Sequence, residues 1–195
     1  MDKIIKRSFK TEKFNMTIIN SNRVLIWEVA GILFVIIVGS FLHFLYELLE
    51  LPLVGIISPV NESLFEHLKL GFWSIVFFSL IQYIFLNDQV NNFLVAKAVA
   101  ILILQSFIML FFFSYTAITE EPIVFLDIMS YIFGTVLAYS VSYKTLISSE
   151  LREFYSLMAG SFIIIHGTLL AYFTYNRPDH WFFHPLIELM IHFII

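Results

Sequence analysis

Long uninterrupted apolar runs recur along this chain, and they fix its solvent before any other feature is considered. A run of about 18 or more apolar residues is long enough to cross the hydrocarbon core of a bilayer as an α-helix. Inside that core, backbone polar groups must be paired within the segment, which favours the helix. Such runs fall at 24–49, 62–86, 93–115, 123–143, 154–175 and 179–195. Composition agrees. Of the 195 residues, 59% are hydrophobic and 13% charged, against roughly a quarter charged in a soluble domain. A chain this short cannot bury so much apolar surface inside a water-soluble fold. The expected fold is therefore all-α, a polytopic transmembrane bundle of about six helices. It forms a single domain over 24–195, preceded by a basic leader over 1–23. The last run is short enough to turn back within the membrane instead of crossing it. Cysteine is absent, so disulfides and thiolate ligands are excluded.

The connections carry the expected breakers. Pro52 and Ser58-Pro59 interrupt the chain after the first run, with Ser58 or Asn61 expected to cap the second. Polar turns follow at 87–92 and 119–122. Ser148, Ser149 and Glu150 are expected to cap and charge the start of the fifth run, and Asn176 to Asp179 that of the sixth. In the leader, Lys3, Lys6, Arg7, Lys10, Lys13 and Arg23 outnumber Asp2 and Glu12. The apolar run behind it is too long for a signal peptide, and no small-residue cleavage site follows.

Orientation follows from lysine and arginine. With both termini cytoplasmic, the leader, Lys97, Lys144 and Arg152 lie inside, and only Lys69 and Arg177 outside. The expected location is the plasma membrane, multi-pass, with membrane lipid as partner and no nucleic acid. Single cysteines test this. An impermeant reagent should label 50–61, 116–122 and 176–180 in intact cells and spare 144–153. Labelling of 144–153 would reverse the layout.

In this layout the ionisable residues gather towards the extracytoplasmic end. His43 and Glu47 close the first run. Glu62, Glu66 and His67 open the second. Asp127 opens the fourth, His166 lies in the fifth, and His180, His184, Glu188 and His192 lie on the sixth, with His192 nearest the cytoplasmic end. The third run has only Gln105 and Ser106 as strongly polar interior residues and reads as scaffold. Residues four apart share a helix face, so His43 pairs with Glu47, Glu62 with Glu66, and His180 with His184. Ser130, Gly134, Ala138 and Ser142 make a small-residue stripe that brings membrane helices close and turns Asp127 inward. Three arrangements account for such a cluster. One is a structural network of acids with His, Lys69 and Arg177. Another is a divalent-metal site, since imidazole with carboxylate suits zinc. The third is a proton or ion relay.

The stretch Ser58-Pro-Val-Asn-Glu-Ser-Leu-Phe-Glu-His-Leu-Lys69, preceded by His43-Phe-Leu-Tyr-Glu47, is the most distinctive in the chain. It resembles an uncharacterised family of small bacterial membrane proteins, in which H-x-x-x-E is followed by S-P-x-N-E-S-x-x-E-H-x-K. That resemblance implies a similar helix layout and no known activity. A looser resemblance is to the haemolysin III and progestin/adipoQ receptor membrane hydrolases, through Asn61-Glu62-Ser63, His67-Leu68 and His180-x-x-x-His184, with Asp127 standing for their acid. It implies zinc chemistry. The chain departs from that group in helix number and in the spacing from Asn61 to His67.

The functional expectation is a metal-dependent hydrolase acting on a lipid, lipid-linked or peptide substrate at the extracytoplasmic face. His43, Glu47, His67, Asp127, His180 and His184 form the ligand pool for a divalent ion, zinc foremost. Glu62 or Glu66 is the base, with His166 and Glu188 supporting the ligands. The alternatives are a small proton- or cation-coupled carrier or channel and a non-enzymatic accessory subunit.

Overall fold

A computed structural model describes residues 20–183. Its helices are α1 (Ser21–Leu49), α2 (Pro52–Gly55), α3 (Leu64–Leu86), α4 (Phe93–Thr119), α5 (Val124–Leu146) and α6 (Glu153–Tyr175), with short 3₁₀ turns at Asn87–Gln89 and Trp181–Phe183. No strand occurs among the described residues. Five helices, all but α2, are long and apolar enough to cross a membrane. Their outer faces carry large exposed apolar side chains, such as Ile26, Ile37, Leu110, Leu157 and Ile164. Lipid is the solvent such faces require.

Shape complementarity between helices replaces the hydrophobic effect in this setting. On α1 the buried face is Val24, Glu28, Gly31, Val35, Gly39 and Leu42, a stripe at helical spacing. A Cβ at Gly31 would overlap the Tyr139 ring, and one at Gly39 the Tyr131 hydroxyl. The two glycines therefore let α1 lie directly against α5. The small stripe of α5, Ser130, Gly134, Ala138 and Ser142, is buried along its whole length. It faces α4, with which α5 makes the most extensive contact in the bundle. Ile75, Ala100, Ile101, Leu104 and Tyr139 fill the centre.

Several local expectations change. Helix α3 starts at Leu64, and its cap is Ser63, whose Oγ accepts the Glu66 N–H at 3.3 Å. Ser58 is turned elsewhere. Its Oγ accepts the Tyr46 N–H at 2.9 Å and donates to the Leu42 carbonyl at 2.5 Å, which fastens the 50–63 loop to α1. Asn61 Oδ1 accepts the Ser63 N–H at 2.8 Å, a turn that leads into the cap. Ser148 and Ser149 do not cap α6. The side chain of Asn92 gathers them, donating to the Ser149 carbonyl at 3.0 Å and accepting the Leu151 N–H at 2.8 Å. Nor does a helix begin at 179. Asp179 and His180 form a bend, and Trp181–Phe183 is a single 3₁₀ turn. The rest of the expected sixth helix, with His184, Glu188 and His192, lies outside the described residues.

Lys97 is the largest departure. It does not sit in a cytoplasmic rim but inside the bundle, 1% exposed, and α4 is not a bare scaffold.

Candidate metal centre

The site begins with a loop that cannot move freely. Lys69 and Glu66 form an ion pair one turn apart on α3, 0% and 1% exposed. Lys69 Nζ also donates to the Gly55 carbonyl at 2.6 Å and to Thr174 Oγ1 of α6 at 3.1 Å. Glu66 Oε2 accepts the Val60 N–H at 2.9 Å. Trp73 Nε1 donates to the Ile56 carbonyl at 2.9 Å. With Ser58 pinned to α1, these bonds fold the 50–63 segment over one end of the bundle and set Glu62 above α1 and α3.

Three side chains meet there. His43 lies in the last turns of α1, His67 in the first turn of α3, and Glu62 just ahead of the Ser63 cap. The two histidine Nε2 atoms are 3.1 Å apart. Glu62 Oε2 is 3.3 Å from His67 Nε2 and 3.8 Å from His43 Nε2. One ligand atom from each lies within 4.8 Å of the others. A tetrahedral zinc with ligands at about 2.0–2.1 Å sets neighbouring ligand atoms roughly 3.3–3.4 Å apart, so the three separations fit one ion. The tautomer fits as well. His67 Nδ1 lies 2.8 Å from the Ser63 carbonyl, which can only accept, so Nδ1 carries the hydrogen. In the neutral ring that leaves the Nε2 lone pair facing Glu62 and His43. Ser63 thus acts twice, capping α3 through Oγ and orienting His67 through its carbonyl. The corresponding Nδ1 of His43 is buried and without a partner among the described residues.

Glu62 is the most open of the three, with its side chain 69% exposed. The hydrogen bond with His67 holds its carboxyl below the usual glutamate range, against a smaller opposing effect of partial burial. A lowered pKa adds stability that is complete above the unfolded value, about 4.3, and is lost as pH falls through the folded value. In metal-free protein the stability gap between wild type and Glu62→Gln should therefore be widest at mildly acid pH, where the protonated His67 ring can donate Nε2–H to the carboxylate, and close as pH falls through the glutamate range. A gap that widened as pH fell through the glutamate range, followed by thermal unfolding across pH, would contradict the contact.

The other expected site residues fall in different places. Asp127, in the first turn of α5, is close enough to act electrostatically on His67, and its Oδ1 accepts the Tyr115 hydroxyl at 2.6 Å. It lies beside the three-residue group, not in it. Glu47 is exposed on α1 and reaches His43 only through its charge. Glu66 was expected to serve as a base, but Lys69 and Val60 occupy its carboxylate in the interior. His166 stacks on Phe162 and packs against Phe72, with ring centroids 5.3 Å away in both cases, and does not reach the group. His180 is exposed in the bend after α6, where its Nδ1 accepts the Phe182 N–H at 3.3 Å. His184 and Glu188 are outside the described residues.

A family profile described as a family of unknown function (DUF6512) matches residues 16–189. No curated protein and no solved structure matches the chain.

Proposed function

The chain belongs to that family of unknown function, and from this premise we propose that it is a metal-dependent membrane hydrolase. Its site would open at the extracytoplasmic face onto a lipid, lipid-linked or peptide substrate. The observation that carries the reading is the convergence of His43, His67 and Glu62 at one end of the bundle, with spacing suited to one divalent ion. Among the described residues the group offers three ligands, and three protein ligands with a further position for water or substrate is the catalytic pattern for zinc, whereas structural sites are closed by four. When bound, such an ion supplies Lewis acidity and makes water a nucleophile near neutral pH. The chain supplies the rest. Ser63 orients His67. Tyr115 fixes one oxygen of Asp127 and leaves the other to accept a proton. The Lys69–Glu66 pair keeps the Glu62 loop in place.

Elemental analysis of protein purified without chelator tests the proposal, together with hydrolysis of labelled phospholipid and lipid-linked substrates. About one divalent ion per chain, and turnover abolished by chelation, is the expected result. Metal-free wild type without turnover would overturn it.

A proton- or cation-coupled carrier is the second reading, and one observation favours it. Polar side chains continue away from the metal centre along α3 and α5. Ser74 and Thr135 are buried, Tyr131 donates to the Val35 carbonyl at 2.9 Å, and beyond them lies the Glu28–Lys97 pair. A carrier would retain flux where a hydrolase shows turnover.

A further inference from the structure

Depth in the membrane and charge at the rim narrow the substrate that the His43–Glu62–His67 group can meet. His43 does not sit at the tip of its helix. It lies six residues before Leu49, where α1 ends, about 9 Å short of that end at 1.5 Å per residue. The turns beyond it still carry exposed apolar side chains, Phe44, Leu48 and Leu49. In the segment that follows, Leu51 and Leu53 are exposed as well. On α5, Val124 and Phe125 are exposed in the same first turn as Asp127. Side chains of this kind need hydrocarbon around them. On the α1 and α5 sides the hydrocarbon therefore reaches past the level of His43 and His67.

The candidate ligands are not sealed off at that depth. The side chains of His43 and His67 are 28% and 30% exposed. The exposed Phe44 ring packs against the His43 ring, with centroids 4.9 Å apart, so one apolar side chain touches both the site and the lipid. A bond presented to this group must lie near the top of the hydrocarbon. Lipids carry their acyl links there, between tail and headgroup. A peptide would have to leave water and give up the hydrogen bonds of its backbone to reach the same depth.

The headgroup side is acidic. Glu47, Glu50, Glu62, Glu120 and Glu121 are exposed at this end of the bundle. Among the described residues there, Arg177 is the one exposed lysine or arginine, and the exposed Asp179 follows two residues on. Lys69 is enclosed with Glu66. A divalent ion would offset two of the five glutamate charges and leave the rim acidic. Such a field attracts a positively charged headgroup and disfavours a negative one.

Resting on the hydrolase reading, we infer that the substrate is a membrane lipid with an amine-bearing headgroup, cleaved at an acyl ester. Its tails stay in hydrocarbon beside Phe44, its acyl carbonyl meets the His43–Glu62–His67 group, and its amine faces the exposed glutamates. The oxygen of water bonds to the acyl carbon, the acyl C–O bond breaks, and one water proton passes to the leaving oxygen. A fatty acid and a lyso-lipid alcohol are the products.

The zinc-loaded full chain, placed in vesicles with equal amounts of phosphatidylethanolamine and phosphatidylglycerol bearing identical tails, tests this when a short-chain ester is dissolved outside. Mass spectrometry reads the lyso-lipids and the free acids. Lyso-phosphatidylethanolamine should form at least about tenfold faster than lyso-phosphatidylglycerol, because like charges facing one another are costly. The dissolved ester should be cleaved more slowly than phosphatidylethanolamine. Glu50→Lys/Glu121→Lys should keep its zinc and bring the two lyso-lipid rates towards parity. Equal rates in wild type, a preference for phosphatidylglycerol, or faster cleavage of the dissolved ester would overturn this substrate and leave the hydrolase standing, as would an unmoved ratio in the folded variant. No release from any of the three by zinc-loaded protein would remove the hydrolase, and this substrate with it. If the double variant does not fold, the wild-type rates decide alone.

Discussion

In the proposed metal centre, His67→Ala should abolish binding of a divalent ion and leave the helices assembled. In the proposed centre His67 matters most because it is the side chain that both other candidate ligands face, at 3.1 Å from His43 and 3.3 Å from Glu62. Losing a partner that merely orients a ligand costs about 10–100-fold in metal affinity, so loss of the ligand itself should exceed that. The bundle should survive, because His67 lies at the rim and the helices are held by the glycine contacts of α1 and the small stripe of α5. Elemental analysis of wild type and variant, beside thermal unfolding of each in detergent, separates the outcomes. Metal retained in full by the variant would remove His67 from the site. A variant that lost its fold and a wild type that never held metal would together mean a structural network at this end.

Lys69→Met should be the most destabilising single change at that end of the bundle. The ammonium is fully enclosed and joins three separate pieces of chain: Glu66 on its own helix, Gly55 in α2 and Thr174 in α6. Without it, Glu66 keeps the Val60 N–H as its one hydrogen-bond partner among the described residues, at a site 1% exposed. Breaking a buried pair by removing one partner costs about 3–5 kcal/mol, mostly the penalty of the charge left behind. Adding Glu66→Gln to Lys69→Met should recover part of that loss, since the orphaned charge is then gone. The single variant should also hold metal less well, because the 50–63 loop that carries Glu62 is anchored through this pair. Unfolding midpoints of the single and double variants check the order. Equal stability of Lys69→Met and wild type would show that the pair does not hold the loop.

Lys69 and Lys97 also show where sequence reading stopped. In the sequence Lys97 enters only as a charge counted on the cytoplasmic side, and Lys69 as one counted outside or paired with an acid in a structural network. In the fold both are interior, each facing a glutamate. Spacing alone could have placed Glu28, since it falls on the same stripe as Val24, Gly31, Val35 and Gly39. A charge on the face that glycines mark as closely packed points to a partner across the interface. The identity of that partner, Lys97 on α4, depends on which helices neighbour α1, and helix order around a bundle is not written in hydrophobic periodicity.

The helical membrane class, and five of the six helices expected, were legible in the sequence, because a bilayer imposes one length and one hydrogen-bonding rule on every crossing segment; the sixth falls mostly outside the described residues. The distinctive 58–69 stretch was equally plain. Tertiary structure decided which of its residues could act together. His43, Glu62 and His67 converge because Ser58 and Lys69 fold the loop over the helix ends. Glu66, one helical turn from Glu62 in the sequence reading, points the other way because α3 begins only after Ser63. A helix start displaced from 62 to 64 leaves Glu62 ahead of the cap, so the four-residue spacing that would put it on one face with Glu66 no longer sets its direction. Periodicity cannot resolve that shift, and packing can.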